Sequence, residues 1–216
     1  MADDYEFRDL PVPPIRAGTS VLLTGPTHAG TRQLAFRLLA GSPDEGTIVI
    51  TTNSRASRVI DDCRASGMTA TPDRTGVVDC VDDGEDDSVA ARVLTVSGPA
   101  DLTGIGMRYS KLYQGFYEGG TDRVRTGVCS VSTLLSFSDL RTVSRFVHTV
   151  IGRIDSVDGF GVLFLDPETQ DERTVSTVGQ FCGGRIEVRE GDDGPELRTR
   201  GLARGDGEWT PFDPRP

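Results

Sequence analysis

The sequence predicts a three-layer α/β domain, with a central, mainly parallel sheet and helices on both faces. Three observations carry that expectation. Short runs rich in β-branched residues alternate with helix-period segments along most of the chain. The runs themselves, such as Thr47-Ile48-Val49-Ile50-Thr51, lack the polar alternation of a half-solvated strand, as expected where both faces of a sheet are covered. A glycine-rich turn separates the first such run from the first helix, at the strand end where ligands of open α/β sheets bind. With 216 residues, 36% of them hydrophobic, the chain has the length for one such domain and not for two.

Residues 1–19 carry Pro11, Pro13 and Pro14 and then Ala17-Gly18-Thr19, which predicts an extended lead-in ending in a turn. Val21-Leu22-Leu23 is the first strand, and Gln33 to Ala40 is a mostly apolar helix stopped by Gly41-Ser42-Pro43. The strand Thr47–Thr51 precedes a helix over Ser57 to Ser66, with Val59, Ile60 and Cys63 at helical spacing. Further strands are expected at Gly76–Cys80 and Arg92–Val96, separated by an acidic loop from Val81 to Ser88. Leu102, Ile105, Tyr109, Leu112 and Phe116 recur at steps of three or four, so a helix is predicted to Tyr117 with Asp101 as N-cap. Next come a strand at Thr126–Val131, an amphipathic helix over Leu140 to Ile154, a buried strand at Val162–Asp166 and a short helix from Thr174 to Phe181. Arg185–Arg189 alternates polar and apolar residues as an edge strand would, with Glu196–Gly201 as its hairpin partner. The domain is placed at residues 20–204, leaving residues 205–216 as a weakly ordered tail.

Acids outnumber bases by 33 to 23, a net charge of -10, which argues against general affinity for nucleic acid or anionic membranes. Lys111 is the only lysine, and aspartate far outnumbers glutamate, a balance similar to that of proteins from extreme halophiles. Cys63, Cys80, Cys129 and Cys182 form no CxxC pair and have no histidine cluster beside them; buried free thiols are expected rather than a zinc site or disulfide framework. No apolar run reaches the length of a membrane span and the acidic start is unlike a signal peptide, so a cytoplasmic location is expected.

The chemistry-bearing motif is the turn Gly25-Pro26-Thr27-His28-Ala29-Gly30-Thr31-Arg32. It has the Gly-x4-Gly spacing of a phosphate-binding loop, but Thr31 and Arg32 stand where lysine and a Ser/Thr hydroxyl are needed. Together with Ile15-x-Ala17-Gly18-Thr19-Ser20-Val21-Leu22-Leu23 before it, the strand Gly46 to Thr51, the helix Asp101 to Phe116 and the phrase Val128-Cys129-Ser130-Val131-Ser132-Thr133-Leu134-Leu135, this loop resembles the RecA-like P-loop ATPase superfamily, most closely its KaiC-type haloarchaeal branch, over residues 15–190.

The resemblance implies a RecA-like fold and a nucleotide site built from Gly25 to Arg32, and it also shows where that site is degenerate. A neutral Thr31 cannot neutralise phosphate charge, and Arg32 offers only donors and cannot hold Mg²⁺. Cys129 falls at the Walker B aspartate, where a protonated thiol is a poor ligand for a hard cation. Asn53 and Ser54 fall at the catalytic glutamate, and neither is a general base near neutral pH. With three stations of phosphoryl transfer altered, the expectation is a pseudo-ATPase: a regulatory or signalling-associated interaction module with protein partners or a homo-oligomeric form, no catalytic or metal site, and weak or no ATP binding. The main alternative takes Val162-Leu163-Phe164-Leu165-Asp166-Pro167-Glu168 as Walker B, with Asp166 and Glu168 as catalytic candidates, Arg32 as a displaced phosphate cation and ATP as cofactor. A DNA-repair recombinase paralogue is a third reading.

Other polar residues have plainer expectations. His28 is read as a solvated loop residue and His148 as a packed or partly exposed helix residue. Asp61-Asp62 and Asp82 to Asp87 lack a calcium-loop pattern and are read as a solvated face and a salt-adapted loop; Asp79 is the best remaining carboxylate candidate besides Asp166, with a turn-starting aspartate as its default reading. Arg185, Arg189, Arg198, Arg200 and Arg204 are interleaved with acids, which cancels their field.

Overall fold

The computed structural model describes residues 3–81, 89–202 and 207–215. Its strands are β1 (Ser20–Thr24), β2 (Gly46–Thr51), β3 (Thr75–Asp79), β4 (Arg92–Thr95), β5 (Val124–Cys129), β6 (Phe160–Leu165), β7 (Gly184–Gly191), β8 (Gly194–Arg200) and β9 (Thr210–Pro211). They form one sheet in the order β4-β3-β2-β5-β6-β1-β7-β8-β9. Pairing is parallel from β4 through β7 and antiparallel for β8 and β9. The first strand is therefore central, held between β6 and β7.

Helices α1 (Thr31–Leu39) and α2 (Ala56–Ala65) cover one face; α3 (Leu102–Glu118), α4 (Val131–Phe137), α5 (Leu140–Ser156) and α6 (Glu172–Gly179) cover the other. Successive strand residues feed the two cores alternately: Val21 and Leu23 pack with α1 and α2, while Leu22 packs with α5 and α6. This is why β1 and β6 are built mainly from aliphatic and aromatic residues, and each fully buried aliphatic side chain contributes about 1.5–3 kcal/mol. Asp101 accepts from the Gly104 N–H at 2.8 Å, the expected N-cap of α3. None of the described helices is long and apolar enough to cross a membrane.

Two parts of the sequence reading change. The strand at Arg185 is not an edge: β7 lies between β1 and β8, and its alternation reflects its place near the end of the sheet, where helical cover thins. The phrase after Cys129 continues as the separate helix α4, capped by the Ser130 hydroxyl, which accepts from the Thr133 N–H at 3.3 Å. The lead-in belongs to the core, with Tyr5, Phe7, Leu10, Val12 and Ile15 buried and Tyr5 bridged to Ile15 by two backbone hydrogen bonds of 2.7 and 2.9 Å. The described part of the tail contains β9 and buried Phe212. The acidic run Asp82 to Asp87 and Arg204 lie outside the described residues.

A buried ion pair ties the lead-in to the sheet. Arg125 of β5 meets Glu45 at 2.6 Å, the two side chains being 3% and 7% exposed. The same guanidinium donates to the Leu38 and Glu6 carbonyls at 2.9 and 3.1 Å and lies over the rings of Tyr5 and Phe7. Arg123 adds a second contact to Glu45 and stacks on Tyr5.

Candidate functional site: the glycine loop

Strand β1 delivers the chain into a tight turn. Thr27–Ala29 forms one turn of 3₁₀ helix, and Gly30 adopts the left-handed conformation (φ 77°) that lets the chain swing into α1. Gly25 is required by crowding, because a Cβ there would lie 2.7 Å from both the Thr31 hydroxyl and the Val188 Cβ. The glycines therefore do build a compact loop at the carboxyl end of β1, against β7.

The loop's polar groups face one another. Thr31 is fully buried, and its hydroxyl donates to the Pro26 carbonyl at 2.7 Å; the Ala29 N–H donates to the same oxygen at 3.1 Å. Proline at position 26 removes one backbone N–H that an anion could use. Arg32 turns away toward α2, where its Nε and Nη2 donate to one Asp62 carboxylate oxygen at 2.9 and 2.6 Å. His28 and Thr27 project into solvent. The C-terminal segment lies over the turn: a Cβ on Gly30 would lie 2.8 Å from the Pro214 Cβ, and buried Phe212 is beside it. Arg37 ties this segment down by donating to the Asp213 carbonyl, and it reaches the Asp9 carbonyl with its other terminal nitrogen at 3.0 Å.

Strand register fixes the surrounding candidates. Leu165 pairs with Thr24, so Asp166 leaves β6 directly beside the loop. Its carboxylate accepts the Glu168 N–H at 2.9 Å, its backbone N–H donates to the Ser132 hydroxyl at 2.9 Å, and the Thr169 hydroxyl donates to its carbonyl at 3.0 Å, an aspartate starting its own turn. Glu168 is exposed. Cys129 lies one strand further away, at the end of β5, 4% exposed; burial pushes its thiol up to about 11, against the pull of Arg32 and with a smaller push from Asp62. Asn53 is exposed, and Ser54 is held by its carbonyl, which accepts the Thr51 hydroxyl at 2.6 Å. Asp79 is 2% exposed and anchors α2, accepting from the Ala56 N–H at 2.6 Å and the Val81 N–H at 2.8 Å.

The loop, Arg32, Cys129 and Asp166 thus share one end of the sheet. Their arrangement holds a folded turn, with the cation matched by a carboxylate. Among the described residues no group of three or more histidine, cysteine and acidic side chains is placed to hold a metal ion. Three participants were missed in the sequence. Asp62 was read as part of a solvated face, yet it is 17% exposed; it borders the buried stripe Val59, Ile60 and Cys63, which was the available clue. Phe212 and Pro214 gave no local sign of covering the loop. The remaining expectations concern residues away from it. His148 is exposed, its ring edge-on to Phe181 at 5.5 Å. All four cysteines are free; Cys63, Cys80 and Cys129 are buried and Cys182 is half-buried. Arg185, Arg198 and Arg200 surround Glu187, while Arg189 pairs with Glu196.

A family model described as a family of unknown function (DUF7504) matches residues 18–188. No curated protein matches the sequence. Among solved structures, the fold is similar to that of a KaiC-like protein from the hyperthermophilic archaeon Pyrococcus horikoshii, with TM-score 0.58 and 16% identity over 88% of this chain and 82% of that one. At that identity the likeness establishes the fold: a RecA-like, three-layer α/β domain.

Proposed function

This chain belongs to the family of unknown function DUF7504, and on that premise we propose that it is a RecA/KaiC-like pseudo-ATPase, a regulatory or signalling-associated interaction module with weak or no nucleotide binding. The observation that carries this reading is the Arg32–Asp62 pair. Arg32 is the only cation of the loop, and its two hydrogen bonds to a carboxylate on α2 leave the turn without net positive charge. Phosphoryl transfer depends almost wholly on positioned cations and metal. The inward Thr31 hydroxyl and the cover of Phe212 and Pro214 support the same conclusion. A cytoplasmic location and protein partners complete the proposal.

One observation favours a second reading, an ATP-hydrolysing enzyme using Arg32 and Asp166: β6 runs beside β1, so Asp166 leaves the sheet next to the start of the loop. A thermal-shift titration with ATP and Mg²⁺ in high-salt buffer separates the two. A ligand at 100 times its Kd adds about 2.7 kcal/mol to stability. The melting temperature is expected to stay flat to millimolar ATP. A rise, followed by phosphate release that Asp166→Asn abolishes, overturns the proposal.

A further inference from the structure

On the face of the sheet covered by α3 and α5, a groove of about 430 Å³ runs between these two helices, away from the glycine loop. Leu102, Phe146 and Val150 give it an apolar lining, and Met107, 64% exposed, stands at its edge. Arg145 and Arg153, both exposed, line it from α5 and make no ion pair or side-chain hydrogen bond among the described residues. On a chain of net charge -10, two arginines without a carboxylate partner among the described residues line this one groove. The acids of α3 and α5 do not face them: Asp155 points to Gly18, and Glu118 accepts from Gln114. Gly106, in the groove wall, has open space above it, which permits close backbone approach.

We propose that this groove docks an acidic amphipathic helix of a partner protein. Its apolar face covers Met107 and Phe146, and carboxylates eight residues apart, about 12 Å along a helix, meet Arg145 and Arg153. The chemistry follows from the lining: an apolar strip favours a helix with an apolar stripe, and unmatched guanidiniums select carboxylates and reject cations. This deepens the interaction-module reading and rests on it.

The probe is an 18-residue designed helical peptide with a leucine stripe and two flanking glutamates eight positions apart, beside a copy with lysines in their place. Fluorescence anisotropy on the full chain is expected to show saturable binding of the acidic peptide and at least about tenfold weaker binding of the lysine peptide. Arg145→Glu/Arg153→Glu is expected to lose at least about tenfold, with an unchanged melting temperature because both side chains are exposed and unpaired. Arg141→Glu, on the same helix outside the groove, is expected to stay within about twofold. No binding to wild type at millimolar peptide, equal binding of both peptides, or an unaffected double variant overturns the proposal. So does a doubled solution mass that Met107→Glu returns to monomer, which would assign the groove to a second copy. ATP titrated into the same preparation tests the pseudo-ATPase reading alone, so the two failures are distinguishable.

Discussion

Replacing Glu45 with alanine removes the counter-charge of the buried ion pair that holds the lead-in, together with its contacts to Arg123 and the Ser42 N–H. The Arg125 guanidinium, 3% exposed, would keep its bonds to the Leu38 and Glu6 carbonyls and lose its counter-charge. Removing one partner of a buried pair costs about 3–5 kcal/mol. A cavity of about 640 Å³, lined by Glu45 and Arg125, borders the pair and admits water to the orphaned charge, which places the expected loss near the lower figure, about 3 kcal/mol. For a chain of this length that is about 6–12 °C in Tm. Arg123→Ala is the comparison, since Arg123 also contacts Glu45 but is 31% exposed and is expected to cost about 1 kcal/mol. Urea unfolding followed by circular dichroism measures both variants, with unchanged slopes showing that stability alone has moved. Equal losses for the two variants, or a Glu45→Ala loss under about 1 kcal/mol, would refute the assignment of Arg125 as a buried, dependent charge.

Two glycines should respond oppositely to alanine. Gly25→Ala forces a Cβ to 2.7 Å from Thr31 Oγ1 and Val188 Cβ and is expected to destabilise by about 1–3 kcal/mol, whereas Gly152→Ala, in α5 with nothing within 4 Å, should stabilise by up to about 1 kcal/mol; thermal melts check both. Burial raises the Cys63 and Cys80 thiols from 9.0 to about 12 and Cys129 to about 11. Below pH 9 both folded and unfolded forms keep these protons, so stability is unaffected there. Above it the unfolded chain ionises first and stability falls toward pH 11–12. Urea midpoints that hold level from pH 9 to 11 would contradict this, as would rapid native-state alkylation of these three thiols at pH 8.

The layers were legible because burial on both faces writes itself into strand composition. Val49, Val77, Val162 and Leu163 are each flanked only by apolar residues or glycine, and the Leu102–Phe116 periodicity with Asp101 marked α3 to within a residue. The lead-in was less legible: prolines 11, 13 and 14 advertise extended chain, and only the fold reveals that Tyr5 and Phe7 meet Phe160 at 5.5 and 5.1 Å. At the site, Gly25 and Gly30 announced a loop through spacing alone. That Arg32 would face Asp62, thirty positions away on α2, depends on how two helices settle on one sheet face, and local pattern carries no record of that. The same holds for Pro214 above Gly30.

The position of β1 sets the order in which this protein can fold. Val21 has Val162 on one side and Gly184 on the other, so the first strand made is unpaired until strands far along the chain have been synthesised. Arg37 then joins the Asp9 and Asp213 carbonyls, a closure between the two ends of the described chain. Loop entropy must be paid before such contacts return anything, which makes folding slow for the chain's size and leaves Val21-Leu22-Leu23 exposed on the nascent polypeptide. The central strand that secures the finished domain is the segment most in need of shielding while that domain is being made.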